Sequence, residues 1–94
     1  MEKKLSVVVS VYNEEQALPM FYETTKLILE ILPWDYELLF VNDGSRDDSL
    51  SILREYAARD EKVKFVSFSR NFGHEAAMIA GIDYADGDGI VCMD

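Results

Sequence analysis

The sequence lacks a second cysteine, so Cys92 has no partner within the chain. That excludes a disulfide scaffold and fits a reducing compartment. Free cysteines are among the most buried residue types, and Cys92 reads as a small buried strand residue. Cations are scarce too: nine Lys and Arg face 18 Asp and Glu, for a formal charge of −9. The excess argues against nucleic acid or an anionic membrane surface as a direct partner. It leaves nucleotides open, because carboxylates can hold a divalent cation that in turn holds phosphates. No apolar run approaches the roughly 20 residues of a membrane-spanning helix. The opening Met-Glu-Lys-Lys, with a short valine run ending in Asn13-Glu14-Glu15, does not read as a secretory signal, so a cytoplasmic location is expected. With one histidine and no paired cysteines, zinc-type ligand sets are disfavoured, and no Ser-His-Asp or Cys-His arrangement is evident.

What is present is a packed core in one small domain: 49% of the 94 residues are hydrophobic. Short β-branched runs alternate with stretches of helical period. Leu5 to Val11, Tyr36 to Val41, Val63 to Phe68 and Gly89 to Met93 read as strands. Between them, Leu18, Phe21, Thr25, Ile28 and Leu32 recur at helical spacing, with Pro19 in the first turn and Pro33 as the stop. Ser45 and Asp48 resemble a capping box opening a second helix that faces the core with Leu50, Leu53 and Ala57. A third helix spans His74 to Ala85, ended by the Gly87 and Gly89 turn. Alternation of this kind predicts an α/β fold, a Rossmann-like parallel sheet with flanking helices and right-handed crossovers.

Ligands of such sheets bind beyond the carboxyl ends of the strands. The polar clusters Tyr12-Asn13-Glu14, Asn42-Asp43-Gly44-Ser45, Ser69-Arg70-Asn71-Phe72-Gly73 and Asp94 each follow a strand, so all four belong to one edge. The opposite turns, at Pro33-Trp34-Asp35, Asp60-Glu61-Lys62 and Asp86-Gly87-Asp88, read as solvated loops.

The first of these clusters holds no glycine, which excludes the phosphate-cradling turn of dinucleotide-binding domains; no Walker-type loop is present either. Phosphates bound here need another positive charge, and a metal ion on carboxylates, Asp94 among them, is the natural substitute. Asp43 can accept from a ribose hydroxyl or a base N–H, or serve only as a turn former. Gly44 and Gly73 either border a ligand or only satisfy backbone geometry. Tyr12 can stack on a base or close its strand by packing. Arg70 and His74 are the cationic or titratable groups of the third cluster; either can touch a phosphate, or His74 can be a cap or surface residue.

Taken in order, Val9 to Glu15 (VSVYNEE), Val41 to Asp48 (VNDGSRDD) and Asp94 after an apolar strand resemble the family 2 glycosyltransferases of the GT-A fold. The resemblance spans the whole chain. Ser69 to Ala77 (SRNFGHEAA) is similar to the branch that moves a sugar onto a polyprenyl (dolichyl or bactoprenyl) phosphate. It implies that Tyr12 and Glu14 line the base and ribose pocket and that Asp43 bonds the base, with Gly44 and Ser45 shaping its loop. By the same resemblance Asn71 and Gly73 would border the nucleotide, and Arg70 would lie near its phosphates. Asp94 would be the first acid of the family's Asp-x-Asp motif, which binds ribose and, with the second acid, Mg²⁺ or Mn²⁺. The implied donor is a nucleoside-diphosphate sugar, a UDP-sugar favoured over GDP-mannose, and the implied acceptor is a polyprenyl phosphate. The whole protein is then membrane-associated on the cytoplasmic face.

Ser10 stands where many relatives have Pro, and His74 where Lys or Gln is common. Residues 1–94 read as a nucleotide-sugar-binding half-domain, cut at the start of the Asp-x-Asp motif, with the catalytic base beyond position 94. Such a piece is expected to be inactive alone and prone to self-association. The competing expectation is a non-catalytic α/β nucleotide-binding or receiver-like module. A receiver carries its phosphorylated Asp after the third strand, where this chain has Ser69-Arg70.

Overall fold

A computed structural model describes residues 3–93. Four strands, β1 (Lys4–Val11), β2 (Asp35–Asn42), β3 (Val63–Ser67) and β4 (Gly89–Met93), alternate with three helices, α1 (Leu18–Glu30), α2 (Ser49–Arg59) and α3 (His74–Tyr84). All strand pairs are parallel, in the order β3-β2-β1-β4. The chain thus runs outward from β1 to β3 and then returns past β1 to lay down β4, reversing direction between β1 and β4.

The reversal sorts the helices. Side chains alternate across each strand, so β1 and β2 present one set to each face of the sheet. Val7, Val9, Val11, Leu38 and Phe40 pack with Leu18 and Leu29 of α1 and with Leu53 and Tyr56 of α2. On the other face Val8, Leu39 and Val41 pack against Ala77 of α3. Gly81 lets α3 approach closely: a Cβ there would lie 2.2 Å from Val8 Cγ1. Each fully buried side chain of Leu or Phe size contributes about 1.5–3 kcal/mol, and the doubly covered β2 carries the densest share.

Several local expectations shift. In α1 the buried position is Leu29, whereas Ile28 is 56% exposed. The helix is rotated so that Leu18, Thr25 and Leu29 form the inward row. The second helix begins at Ser49 with Asp48 at its N-cap and no side-chain cap bond, so Ser45 caps nothing. Its hydroxyl is used instead by the loop after β1, four residues before the helix starts. Phe68 falls just outside β3. Cys92 is exposed, not buried, because among the described residues β4 pairs with β1 alone and all five of its residues are exposed.

The turns at the amino edge are not plain solvated loops. Glu37 is 1% exposed in the middle of β2, beside its register partner Ser6. Its Oε2 accepts from Ser6 Oγ and from the Asp86 amide, both at 2.6 Å, while Gly87 N donates to Ser6 Oγ. Lys64 lies 2.9 Å from its Oε1 as an ion pair, with no directed hydrogen bond to that oxygen. Burial alone would raise the carboxyl's pKa; Ser6, the Asp86 amide and Lys64 outweigh it and hold it at about 2. Asp60, in another of these turns, accepts from Tyr22 Oη and pairs with Lys26. A buried acid recruits these donors from distant parts of the chain, which no local turn pattern announces.

Candidate functional site

The reversal of strand order leaves an opening at the carboxyl edge. An open cleft of about 370 Å³ lies there, lined by Ser10, Tyr12, Glu14, Asp43, Asn71, Gly73 and His74. It draws on the loops after β1, β2 and β3, each delivered to the same level by the parallel register: Val11 pairs with Asn42, and Asn42 with Ser67.

Three loops are bound into one body by side chain to backbone hydrogen bonds. Asn13, at φ 52, is the only described non-glycine residue with positive φ, a conformation Asn tolerates better than most. Its Oδ1 accepts from the Arg46 amide at 2.8 Å, and its own amide donates to Ser45 Oγ at 2.9 Å. The next two amides follow suit: Glu14 N donates to Ser49 Oγ and Glu15 N to Asp47 Oδ2. Asp47 Oδ1 also accepts from Ser49 N. Hydrogen bonds hold its carboxyl below the usual range despite burial, which by itself acts upward.

Asp43 ties the second loop to the third. It is 2% exposed, and its amide extends the ladder by donating to Val11 O. Its Oδ1 accepts from Phe72 N at 2.7 Å, and its Oδ2 from Gly73 N at 3.0 Å and Asn71 Nδ2 at 2.9 Å. Gly44, at φ +68, lies directly against the backbone of Arg70 and Asn71. Gly73, at φ 104, stands at the N-cap of α3.

Of the sequence-predicted residues, Tyr12, Glu14, Asp43, Asn71 and Gly73 therefore meet around one cleft. Gly44 and Ser45 do not line it; they lock the loops behind it. Arg70 does not line it either: its guanidinium lies 4.7 Å from the Phe72 ring centroid, and both residues are exposed. Asp94 lies outside the described residues. Among those described, no three His, Cys, Asp or Glu side chains converge as a metal site would require.

Sequence reasoning gave no role to Ser10, Asn13, Asp47 or Ser49. Ser10 was readable from strand alternation, since it shares a face with Val8. The other three act through partners 32 to 35 residues away, a pairing that only the parallel register of β1 and β2 creates.

The chain has recognisable relatives. An uncharacterized glycosyltransferase, YkcC, of Bacillus subtilis (strain 168) is 52% identical over 89 residues, covering 95% of this chain and 28% of that protein. The bactoprenol glucosyl transferase of Shigella phage SfV is 46% identical over 91 residues, covering 97% of this chain and 30% of that one. Among solved structures, S. aureus TarS 1-349 in complex with UDP superposes with a TM-score of 0.81 at 25% identity, over 97% of this chain and 27% of TarS. The chain spans less than a third of the length of these relatives. They favour a transferase over a receiver-like module. The description of glycosyl transferase family 2 matches residues 6–94, and with that match the chain belongs to this family, on a GT-A-type sheet.

Proposed function

We propose that the whole protein transfers a hexose from a nucleoside-diphosphate sugar to a polyprenyl phosphate, and that residues 1–94 supply its nucleotide half. The observation that carries this reading is the cleft at the strand reversal, where Tyr12, Glu14, Asp43, Asn71 and Gly73 meet. Ligands of doubly wound sheets bind at such a reversal. Tyr12, 42% exposed at the cleft, offers a ring face to a base, and Glu14 offers acceptors to ribose hydroxyls. Gly44 and Ser45 keep the loops in register behind them.

The donor assigned here is a UDP-sugar in preference to a GDP-sugar, on the likeness to TarS bound to UDP. The lipid acceptor rests on the name of the phage relative. Such an acceptor places the whole protein at the cytoplasmic face of a membrane, although no described helix is long and apolar enough to cross one. A divalent cation, Mg²⁺ or Mn²⁺, belongs to this proposal through Asp94 alone, since the described residues make no site for it. Its chemistry would be to offset charge on the departing diphosphate.

The test is sugar transfer by the whole protein from radiolabelled UDP-glucose or GDP-mannose to undecaprenyl phosphate in detergent. Labelled lipid from the UDP donor, lost in a Tyr12→Ala and Asp43→Ala double variant, is the expected result. No lipid product from either donor would contradict the proposal.

A further inference from the structure

Of the four strands, β4 has the least to hold it. All five of its residues are exposed, and among the described residues β1 is its only neighbour in the sheet. Register is strongly specified where one face of a strand is buried, because a slip of one residue turns the buried set outward. Burial among the described residues gives β4 no such preference. Its register must be set in another way.

The amino edge supplies one. Just ahead of β4, the Asp86 amide donates to Glu37 Oε2 at 2.6 Å and the Gly87 amide to Ser6 Oγ at 2.8 Å. Ser6 Oγ donates in turn to the same Glu37 oxygen. Asp88 then closes a reciprocal pair with Lys4: its amide donates to Lys4 O at 2.7 Å, and its Oδ2 accepts from Lys4 N at 2.9 Å. Three consecutive residues are gripped before the strand begins. The grip leaves no room for a side chain at its centre, since a Cβ on Gly87 would lie 2.5 Å from Ser6 Oγ and 2.8 Å from Ser6 N. Glu37 is itself held, buried in β2 with its other oxygen 2.9 Å from Lys64 Nζ and 3.9 Å from Lys4 Nζ.

The consequence falls at the opposite end of the strand. With Leu5 opposite Gly89, β4 ends with Met93 beside Val9, one residue before Ser10 of the cleft. A slip of one residue would move that end by about 3.3 Å and turn its side chains to the other face. We propose that Glu37 is a positioning residue for transfer: from the amino edge it fixes the register of β4, and with it the level at which the chain leaves β4 beside the cleft. The lock rests on the hydrogen bonds above; its bearing on transfer rests on the nucleotide-sugar reading.

The experiment uses the whole protein with methyl-labelled valine. It reads the methyl contact between the register partners Val7 and Val91, and kcat/KM for transfer from UDP-glucose to undecaprenyl phosphate. Glu37→Leu keeps the bulk and removes both acceptors. It should lose the Val7–Val91 contact and about 10²-fold in kcat/KM, the scale of loss for a misplacement of about 1 Å. Glu37→Gln keeps one acceptor oxygen for Ser6 and Asp86, so it should retain the contact and stay within about three-fold of wild type. Leu53→Ala opens a cavity on the opposite face of the sheet, lowering stability without touching the grip, and should also retain both. A Val7–Val91 contact kept in Glu37→Leu would overturn the lock, and so would an equal loss of kcat/KM in Leu53→Ala. Should Glu37→Leu fail to fold, Gly87→Ala, which pushes the same loop off Ser6, decides by the same two readings. No transfer by the wild type removes the parent reading, and the register measurement then decides the lock by itself.

Discussion

Gly44 sits against the peptide that follows Arg70 so closely that a Cβ on it would lie 2.2 Å from the Arg70 carbonyl carbon. The loops after β2 and β3 are in backbone contact, and no side chain can be inserted between them. Gly44→Ala also meets a φ of +68, unfavourable for any residue bearing a Cβ. Strain and overpacking together should cost about 2–4 kcal/mol. Urea denaturation followed by circular dichroism would register it as a lower midpoint at unchanged slope.

Asp43→Ala attacks the same junction from the other side. It removes the carboxylate that accepts from Phe72 N, Gly73 N and Asn71 Nδ2 in one step, leaving Asn71 Nδ2 only its bond to the main-chain carbonyl of residue 43. At about 1 kcal/mol for each lost bond, a loss of about 3 kcal/mol is expected. Amide hydrogen exchange at Phe72 and Gly73 should rise well above that of the β2 core, because the third loop is released before the sheet opens.

Glu37 makes stability depend on pH. Its carboxyl is held at about 2 in the folded protein, below the ordinary value of 4.5. A depressed carboxylate contributes fully above the unfolded value, and its contribution disappears as pH falls through the folded one. The loss therefore occurs between about pH 4.5 and pH 2. Glu37→Gln should be less stable than wild type at pH 7, and its unfolding midpoint should change less across that acid window. A wild-type protein with the same acid profile as the variant would refute the role of Glu37.

The alternation of strands and helices and the clustering of polar segments on one edge were legible because both follow from local pattern. Val7, Val8 and Val9 announce a strand buried on both faces, and Pro33 stops α1 at a readable place. The missed features depend on pairing at a distance. Ser45 looked like a cap because Asp48 follows it at the right spacing, yet Asn13 claims its hydroxyl from 32 residues away. Glu37 sits in the apolar run Tyr36 to Val41, and only the register with Ser6 and the arrival of Asp86 explain its burial. Leu29 displaced Ile28 because helix phase is set by the sheet that α1 packs on, not by spacing alone.

Among the described residues no strand pairs with the outer edge of β4, and Ile90, Val91 and Met93 are between 38% and 44% exposed. Open apolar edges recruit further strands. The isolated 94-residue chain should sediment as oligomers, and Val91→Lys should shift it towards monomer. Sedimentation velocity across a concentration series checks both; a monomer at all concentrations would refute the edge assignment.

The central claim is that the loops after β1, β2 and β3 form a single nucleotide pocket, and amide chemical-shift mapping during titration of the whole protein with UDP and Mg²⁺ tests it most directly. Saturable shifts confined to Tyr12, Glu14, Asp43, Asn71, Gly73, His74 and their neighbours are predicted. Shifts centred instead on the amino-edge turns at Asp60 and Asp86, or none at saturating UDP, would contradict it.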